Sequence, residues 1–475
     1  MRSVTTNTSS TFIYSHVVTR ITDDFGRWQL RTVLLVFLCK IPTAWFMACV
    51  IYTAPTPQKG DYYCKPPTVI NISEQLDWVR MPYPVTEERH TDRRFRVDAC
   101  NIYEEHAFAA RYPNYTNPFQ KPHSSHTDDG NLMVNVIPCQ KFEHTSGYKS
   151  LVTQFDLVCS RQLLVSVTQS FHCLGTLIGG LIAVQVLKHF SPRKLMLIGM
   201  LFQMWCGNLT GLVSTFHLHV FFRCLTAIFC TIMYTSGQVI LTDITGGKAQ
   251  TIVTTLSELF WSMGLVLLPG ISIFFDSWSY LYVVISSSVI VLVFLHRWIA
   301  DSPRWLLRRD KIDHALQILL ESAAFNNREI PLNLVSQLEA YAGHLRSQKQ
   351  PSYWSIWDGR TDRMYIISIH LAWVWAGMLS NVMLLMIRQL GVEHIHVNTA
   401  CMGENLNYLA PQTVQLTLYL IIGFAEMIGV LLGLLLILFT RRRWLWAGYI
   451  TIVAGVLTHF VWLVPPTSEM KLFYG

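Results

Sequence analysis

The sequence predicts an all-helical integral membrane protein, and three observations support this fold class. Hydrophobic residues make up 51% of the 475 positions and charged residues only 14%, about half the charged fraction of soluble domains. Nine apolar runs are each long enough for a helix that crosses a bilayer, which takes about 20 residues. The net charge of +7 is spread along the chain rather than clustered, which argues against a nucleic-acid partner.

The nine apolar runs are the predicted transmembrane helices, and two long polar segments separate them. The runs lie at 33–54, 163–187, 194–214, 218–242, 251–274, 279–299, 364–386, 414–439 and 444–464. The predicted domains are a leader (1–32), the first helix (33–54), a loop (55–162), helices two to six (163–299), a linker with amphipathic helices (300–363), helices seven to nine (364–464) and a tail (465–475). No small-residue cleavage site follows the first run, so we expect a retained span rather than a signal peptide.

Basic residues in the connecting segments predict the orientation, because Lys and Arg concentrate in short cytoplasmic loops. Alternate segments share these cations: Arg20, Arg27, Arg31, Lys188, Arg193, Lys194, Lys248, Arg304, Arg308, Arg309, Lys311, Arg441, Arg442 and Arg443. The leader and the linker are therefore predicted to be cytoplasmic. The 55–162 loop and the tail are predicted to be extracellular.

The 55–162 loop contains two further features of an extracellular segment. Four cysteines can form disulfides in an oxidising compartment, and they allow three connectivities: Cys64, Cys100, Cys139 and Cys159. Two glycosylation sequons begin at Asn71 and Asn114. We therefore expect a glycosylated, disulfide-linked loop with its pairing left open.

Several short strings resemble one known family. They are DFGRWQ at 24–29, TAP at 53–55, FDLVC at 155–159, DSPRWLL at 301–307 and NN at 326–327. Together they resemble the organic cation, anion and carnitine transporters, which are solute carrier family twenty-two of the major facilitator superfamily. The resemblance runs from about residue 20 to 464, and its most specific string is the one after the sixth span.

The resemblance implies a major-facilitator-type helix bundle that transports small organic ions by alternating access, without a cofactor. It also implies a plasma-membrane location. The family has twelve spans, however, and this sequence predicts nine. The alternative is therefore a shortened relative that does not transport and acts as a membrane partner or binding protein.

Ionisable and polar residues inside the spans are the substrate-binding candidates, because they are costly in lipid. Glu426 stands at the family's acidic position in the eighth span, and Tyr234 and Gln238 match pocket positions in the fourth. Glu258 in the fifth span either faces the cavity or pairs with Lys248. The alternative for Glu426 is a carboxylate satisfied by a neighbouring helix, and the alternative for Tyr234 is an aromatic side chain that only packs.

A second candidate group is a charge-paired cytoplasmic gate. It comprises Asp243 at the end of the fourth span, Arg223 at its start, and Arg193 and Lys194 in the loop between the second and third spans. Lys40 lies about 13 Å beyond Arg31 at 1.5 Å per residue, inside the first span, and we expect its side chain to snorkel toward the cytoplasmic surface.

The sequence offers no complete motif for phosphate binding, metal binding or catalysis. Gly246-Gly247-Lys248 lacks the spacing of a phosphate loop, and His394 and His396 have no further metal-ligand cluster beside them. We therefore expect no enzyme activity, no metal and no cofactor. The expected partners are a small organic ion, with a cation or carnitine-like zwitterion preferred, and the lipid bilayer, whereas the oligomeric state stays open.

Overall fold

The computed structural model describes the helical bundle and parts of the polar loop. The described residues are 25–55, 62–64, 85–86, 96–97, 100–103, 136–139, 141–144, 148–347, 360–393, 410–440, 445–446, 448–450, 452–453 and 456. Two compact units are present, a helical unit (1–52, 169–275 and 279–475) and a loop unit (53–168 and 276–278). The predicted glycosylation sites Asn71 and Asn114 and the pair His394 and His396 lie outside the described residues.

The first apolar run forms three consecutive helical pieces, α1 (Arg27–Leu38), α2 (Lys40–Ala48) and α3 (Val50–Thr53). Pro42 accounts for the first interruption, because it has no N–H to donate to the carbonyl of Leu38. The break occurs at Cys39, directly before Lys40.

The rest of the bundle consists of helices of very different lengths. They are α5 (Leu163–Val186), α6 (Pro192–Leu212), α7 (Phe216–Ile244), α8 (Gly247–Ser272), α9 (Trp278–Ser287), α10 (Val289–Leu295), α14 (Arg360–Glu393) and α15 (Ala410–Phe439), with the short α4 (Leu151–Phe155) before them. Gly199 lets α6 approach α7 closely, since a Cβ there would lie 2.9 Å from the Met233 backbone nitrogen. Buried Met and branched aliphatic side chains of α1, α6 and α7 fill the core at this interface.

In its described residues up to 347, the predicted linker forms three shorter helices: α11 (Pro303–Arg308), α12 (Ile312–Phe325) and α13 (Leu334–Ser347). Their apolar faces form a small core of their own, which includes Leu307, Leu319 and Leu338. Ser302 caps α11, and Pro303 occupies its first position.

Seven helical segments of the described chain are long and apolar enough to cross a membrane. They are Arg27–Thr53, Cys159–Val186, Pro192–Leu212, Phe216–Ile244, Gly247–Ser272, Trp278–Trp298 and Leu420–Phe439. These segments coincide with predicted spans one to six and eight. The seventh prediction falls on α14, of which Arg363–Leu379 is a shorter apolar stretch, and most of the ninth (444–464) lies outside the described residues. The count of nine spans stays a prediction.

The described residues of the loop unit form three two-stranded antiparallel sheets. β1 (Tyr62–Cys64) pairs with β6 (Phe142–His144), β2 (Val85–Thr86) with β3 (Arg96–Val97), and β4 (Asn101–Tyr103) with β5 (Val136–Pro138). The structure selects one of the three possible cysteine connectivities. Cys64 pairs with Cys139 and Cys100 with Cys159, with Cα atoms 5.7 Å and 5.6 Å apart.

Candidate functional site

The Lys40 side chain lies at the centre of a polar cluster inside the helical unit. Its ammonium donates to Glu258 Oε1 at 2.6 Å and to Ser257 Oγ at 2.8 Å, and only 3% of the side chain is exposed. The expectation that Lys40 snorkels toward the surface is therefore wrong. A carboxylate within hydrogen-bonding distance compensates the ammonium more directly than a long reach to water. Glu258 accordingly pairs with Lys40.

Tyr234 on α7 completes the surroundings of this ammonium. The Lys40 nitrogen lies 4.7 Å from the centroid of the Tyr234 ring, within the range of a cation–π interaction. The Tyr234 hydroxyl is 3.3 Å from the Lys40 nitrogen and 3.4 Å from Glu258 Oε1. An aromatic face, two hydroxyls and a carboxylate thus meet at one cation.

Gln238 lies one turn beyond Tyr234 on α7, and both residues line a small cavity with Lys40. The remaining lining residues are apolar or small: Val36, Cys39, Met196, Met233 and Gly237. Gly237 is required there, because a Cβ would come within 2.9 Å of Val36 Cγ1.

Glu426 reaches the same region from α15, which packs against α8. The two helices approach closely at Gly423, where a Cβ would lie 2.6 Å from Val266 Cγ2. Glu426 is three residues further along and so shares this face of the helix. It is partly buried and close enough to Glu258 for their negative charges to interact. The cluster of Lys40, Glu258 and Glu426 therefore combines two carboxylates with one ammonium.

The gate residues make contacts that differ from the predicted charge pairs. The Asp243 carboxylate accepts a hydrogen bond from Ser302 Oγ at 2.5 Å, and Arg304 and Arg308 are its nearby cations. Arg193 donates its guanidinium to the Arg297 carbonyl at 3.0 Å instead. The segment 301–302 nevertheless links the end of α7 to the start of α6. Ser302 contacts Asp243, and the Arg193 backbone N–H lies 3.5 Å from Asp301 Oδ1.

Lys194 also does not pair with Asp243 in this part of the chain. Its side chain is exposed, and its backbone N–H donates to the capping residue Ser191 at 3.4 Å at the start of α6. The predicted direct pairing of Asp243 with Arg193 and Lys194 is therefore corrected to an indirect connection through Asp301 and Ser302.

Arg223 does not belong to this gate. It lies twenty residues before Asp243 on α7, which places the two about 30 Å apart at 1.5 Å per residue. Arg223 is 2% exposed, and its guanidinium donates to Gln169 Oε1 at 2.8 Å and to the Tyr282 hydroxyl. Its position at the opposite end of the helix follows from the sequence spacing alone.

Lys40 and Ser302 were not predicted from the sequence to belong to these clusters. Lys40 is recognisable in the sequence as an ionisable residue within an apolar run. Its partner could not be predicted, because Glu258 lies 218 residues away. Ser302 is recognisable too, because Ser followed by Pro is typical of a helix start. In the described part of the chain, no group of three His, Cys, Asp or Glu residues could hold a metal ion.

Comparisons with known proteins extend this description. The family model described as Major Facilitator Superfamily matches residues 160–474. Solute carrier family 22 member 3 of Rattus norvegicus is 28% identical over 316 residues, which is 65% of this chain and 55% of the relative. Solute carrier family 22 member 1 of Oryctolagus cuniculus is 26% identical over 317 residues, covering 66% of this chain and 55% of the relative. The chain thus spans about half the length of these curated relatives.

Two further similarities were found. The organic cation transporter-like protein of Drosophila melanogaster is 23% identical over 416 residues, covering 84% of this chain and 66% of the relative. The solved structure of the xylose transporter XylE from E. coli in a partially occluded inward-open conformation is 12% identical, with a TM-score of 0.49, and the match covers 94% of this chain and 82% of that one.

The family match settles two expectations. The relatives are named as solute carriers and transporters, so the expectation that the chain is not an enzyme is confirmed. The family and the apolar helices also make it a multi-pass membrane protein. The curated relatives it is similar to include members of solute carrier family 22, and because the family model covers more than half of the sequence, the chain belongs to the Major Facilitator Superfamily.

Proposed function

We propose that this protein transports small organic cations, or zwitterions that carry an ammonium group, across the plasma membrane by alternating access. The observation that carries the proposal is the cluster of two carboxylates and one ammonium beside the ring of Tyr234. Glu426, Glu258, Tyr234 and Gln238 are the proposed substrate-binding residues. The names of the curated relatives support transport, and the cluster supports the charge preference.

The charge balance of the cluster favours a cationic substrate. A carboxylate inside a membrane costs several kcal/mol unless a partner or water compensates it. Lys40 compensates one carboxylate of the pair Glu258 and Glu426, so the cluster lacks one positive charge when both are ionised. An organic cation supplies that charge, and the Tyr234 ring attracts it through its electron-rich face. An anion would meet two negative groups.

Alternating access requires contacts that break and reform at one end of the bundle. The hydrogen bond between Ser302 and Asp243 is suited to this, since it joins the end of α7 to the segment before α11. We propose that this contact, together with Asp301 and the start of α6, closes the cytoplasmic side. The disulfides and sequons of the 55–162 loop support a plasma-membrane location, because disulfides persist in oxidising compartments.

Replacing Glu426 by Gln tests the proposed function. The amide keeps the size and hydrogen-bonding capacity but removes the charge, so uptake of benzyltrimethylammonium should fall about tenfold, which corresponds to roughly 1.4 kcal/mol. Surface expression should stay near that of the unchanged protein. Glu339→Gln on α13 is the matched control, because Glu339 is exposed and lies in the linker. Equal uptake by both variants would refute the role of Glu426.

A further inference from the structure

We propose that the Lys40 ammonium is a tethered substitute for the substrate, which occupies the cation site at rest and which the substrate displaces. Lys40 thereby determines both affinity and substrate charge. The inference rests on the proposed function and adds a residue and a selection rule to it.

The contacts of Lys40 are those that an ammonium ligand would make. A carboxylate lies at 2.6 Å, a serine hydroxyl at 2.8 Å, a phenol oxygen at 3.3 Å and an aromatic ring centroid at 4.7 Å. Carboxylates together with aromatic faces are a common way to recognise ammonium groups. The side chain that fills this arrangement belongs to the protein, so a free cation must compete with it.

Two features allow the exchange. Glu258 is 44% exposed, so a ligand can reach its carboxylate while Lys40 is bound to it. Lys40 is the first residue of α2, directly after the interruption at Cys39, and its four-carbon stem is flexible. A second carboxylate, Glu426, is near enough to Glu258 to add negative charge to the site that the cation enters.

The exchange has a defined charge balance. The empty cluster carries two negative charges and one positive charge, and a monovalent cation brings the sum to zero. A dication would leave an excess positive charge away from water, which is costly. The site therefore selects monovalent organic cations over dications of similar size.

Replacing Lys40 by Met tests this role in purified full-length protein titrated with benzyltrimethylammonium. If Lys40 occupies the site in about nine of ten molecules, its removal lowers the Kd about tenfold. Lys40→Met combined with Glu258→Gln should lose this gain. Lys188→Met is the control and should bind as the unchanged protein does, because Lys188 is exposed and bonds only to Gln185 among the described contacts.

A second variant covers the case in which Lys40→Met does not fold. Lys40→Arg keeps the positive charge but adds a bidentate contact to Glu258 that is harder to displace, so its Kd should rise severalfold above the unchanged value. A merely structural ion pair predicts unchanged binding for Arg and weaker binding for Met. Either of those results would overturn the proposal.

The outcomes also separate this inference from the proposed function. Binding that depends on Glu426 but does not tighten in Lys40→Met overturns only the role of Lys40. The absence of saturable binding of benzyltrimethylammonium in the folded unchanged protein and in every variant overturns both proposals. Equal affinity for benzyltrimethylammonium and for a bis-quaternary analogue of the same ring contradicts the selection of monovalent cations.

Discussion

A single hydroxyl group, that of Ser302, takes part in two interactions at the scale of the residue. Its oxygen accepts the Trp305 backbone N–H at 3.0 Å and so caps α11, and its proton is donated to Asp243. The cap fixes the start of the linker helix, and the second bond fixes that start against α7. The contact with Asp243 was not predicted from the sequence, because the two residues lie 59 positions apart.

Removing this hydroxyl should destabilise the protein. Ser302→Ala removes the cap, at about 1 kcal/mol, and leaves the partly buried Asp243 without this donor, which adds roughly 1–3 kcal/mol. Thermal unfolding in detergent should show a lower Tm for Ser302→Ala, and Ser302→Thr should restore most of it. Ser336→Ala is the control, since its hydroxyl bonds to the Asn333 carbonyl at an exposed position. Equal Tm values for the two alanine variants would contradict this role.

The ion pair of Lys40 with Glu258 was only partly predictable from the sequence. Both residues were recognisable, because each is ionisable within an apolar run. Their partnership was not, because it depends on how α2 and α8 pack, and local spacing contains no such information. Sequence proximity favours Lys248 as a partner of Glu258, whereas the structure pairs Glu258 with a lysine on another helix.

Close helix packing determines the site at the scale of the element. α8 meets α2 at Gly264, where a Cβ would lie 2.9 Å from Ala44 Cβ and where the Trp45 indole donates to the Gly264 carbonyl at 2.9 Å. It meets α15 at Gly423. Small residues at such crossings are typical of helices in membranes. They bring Lys40 and Glu426 toward Glu258 from two sides.

Gly423→Val should separate α15 from α8 and weaken the site. The added side chain would overlap Val266, and overpacking of this kind costs typically 1–3 kcal/mol. We expect a lower Tm and weaker binding of benzyltrimethylammonium, because Glu426 moves with α15. Gly433→Val on the same helix is the control, since nothing lies within 4 Å of a Cβ there. Unchanged binding in Gly423→Val would show that the α8–α15 crossing does not position Glu426.

Helix positions were largely predictable, because apolar runs determine where membrane helices form. The interruption of the first span was not predicted, although Pro42 is visible in the sequence. The lost hydrogen bond produces two helices, α1 and α2, and places Lys40 at the start of the second. The mean hydropathy of the whole run changes little with one proline, so it does not reveal the interruption.

At the scale of the whole molecule, three of the strings that resemble the family (24–29, 301–307 and 326–327) make contacts between segments that are distant in the sequence. Asn326 accepts the Trp28 backbone N–H and donates to Gln29, both at 3.0 Å. The Trp305 indole donates to the Leu187 carbonyl at 2.8 Å. The linker is thus attached to the first span and to the turn after α5. Sequence similarity indicated that these strings matter, whereas only the structure pairs them.

The sequence did not determine how the four cysteines of the loop unit pair, for a different reason. Four cysteines allow three connectivities, and the choice depends on which strands of the loop unit are neighbours. β1 and β6 are paired, and Cys64 at the end of β1 bonds to Cys139 just before β6. Short strands of two or three residues give no sequence pattern from which this pairing could be predicted.

Uptake of radiolabelled benzyltrimethylammonium by cells that express the chain at the surface tests the central claim most directly, with phenylacetate as an anion of similar size. A site with two carboxylates and one lysine predicts saturable uptake of the cation above untransfected cells and no saturable uptake of the anion. Uptake of the anion alone would contradict the charge assignment. Uptake of neither compound by a chain shown to be at the surface would contradict transport and favour a non-transporting membrane partner.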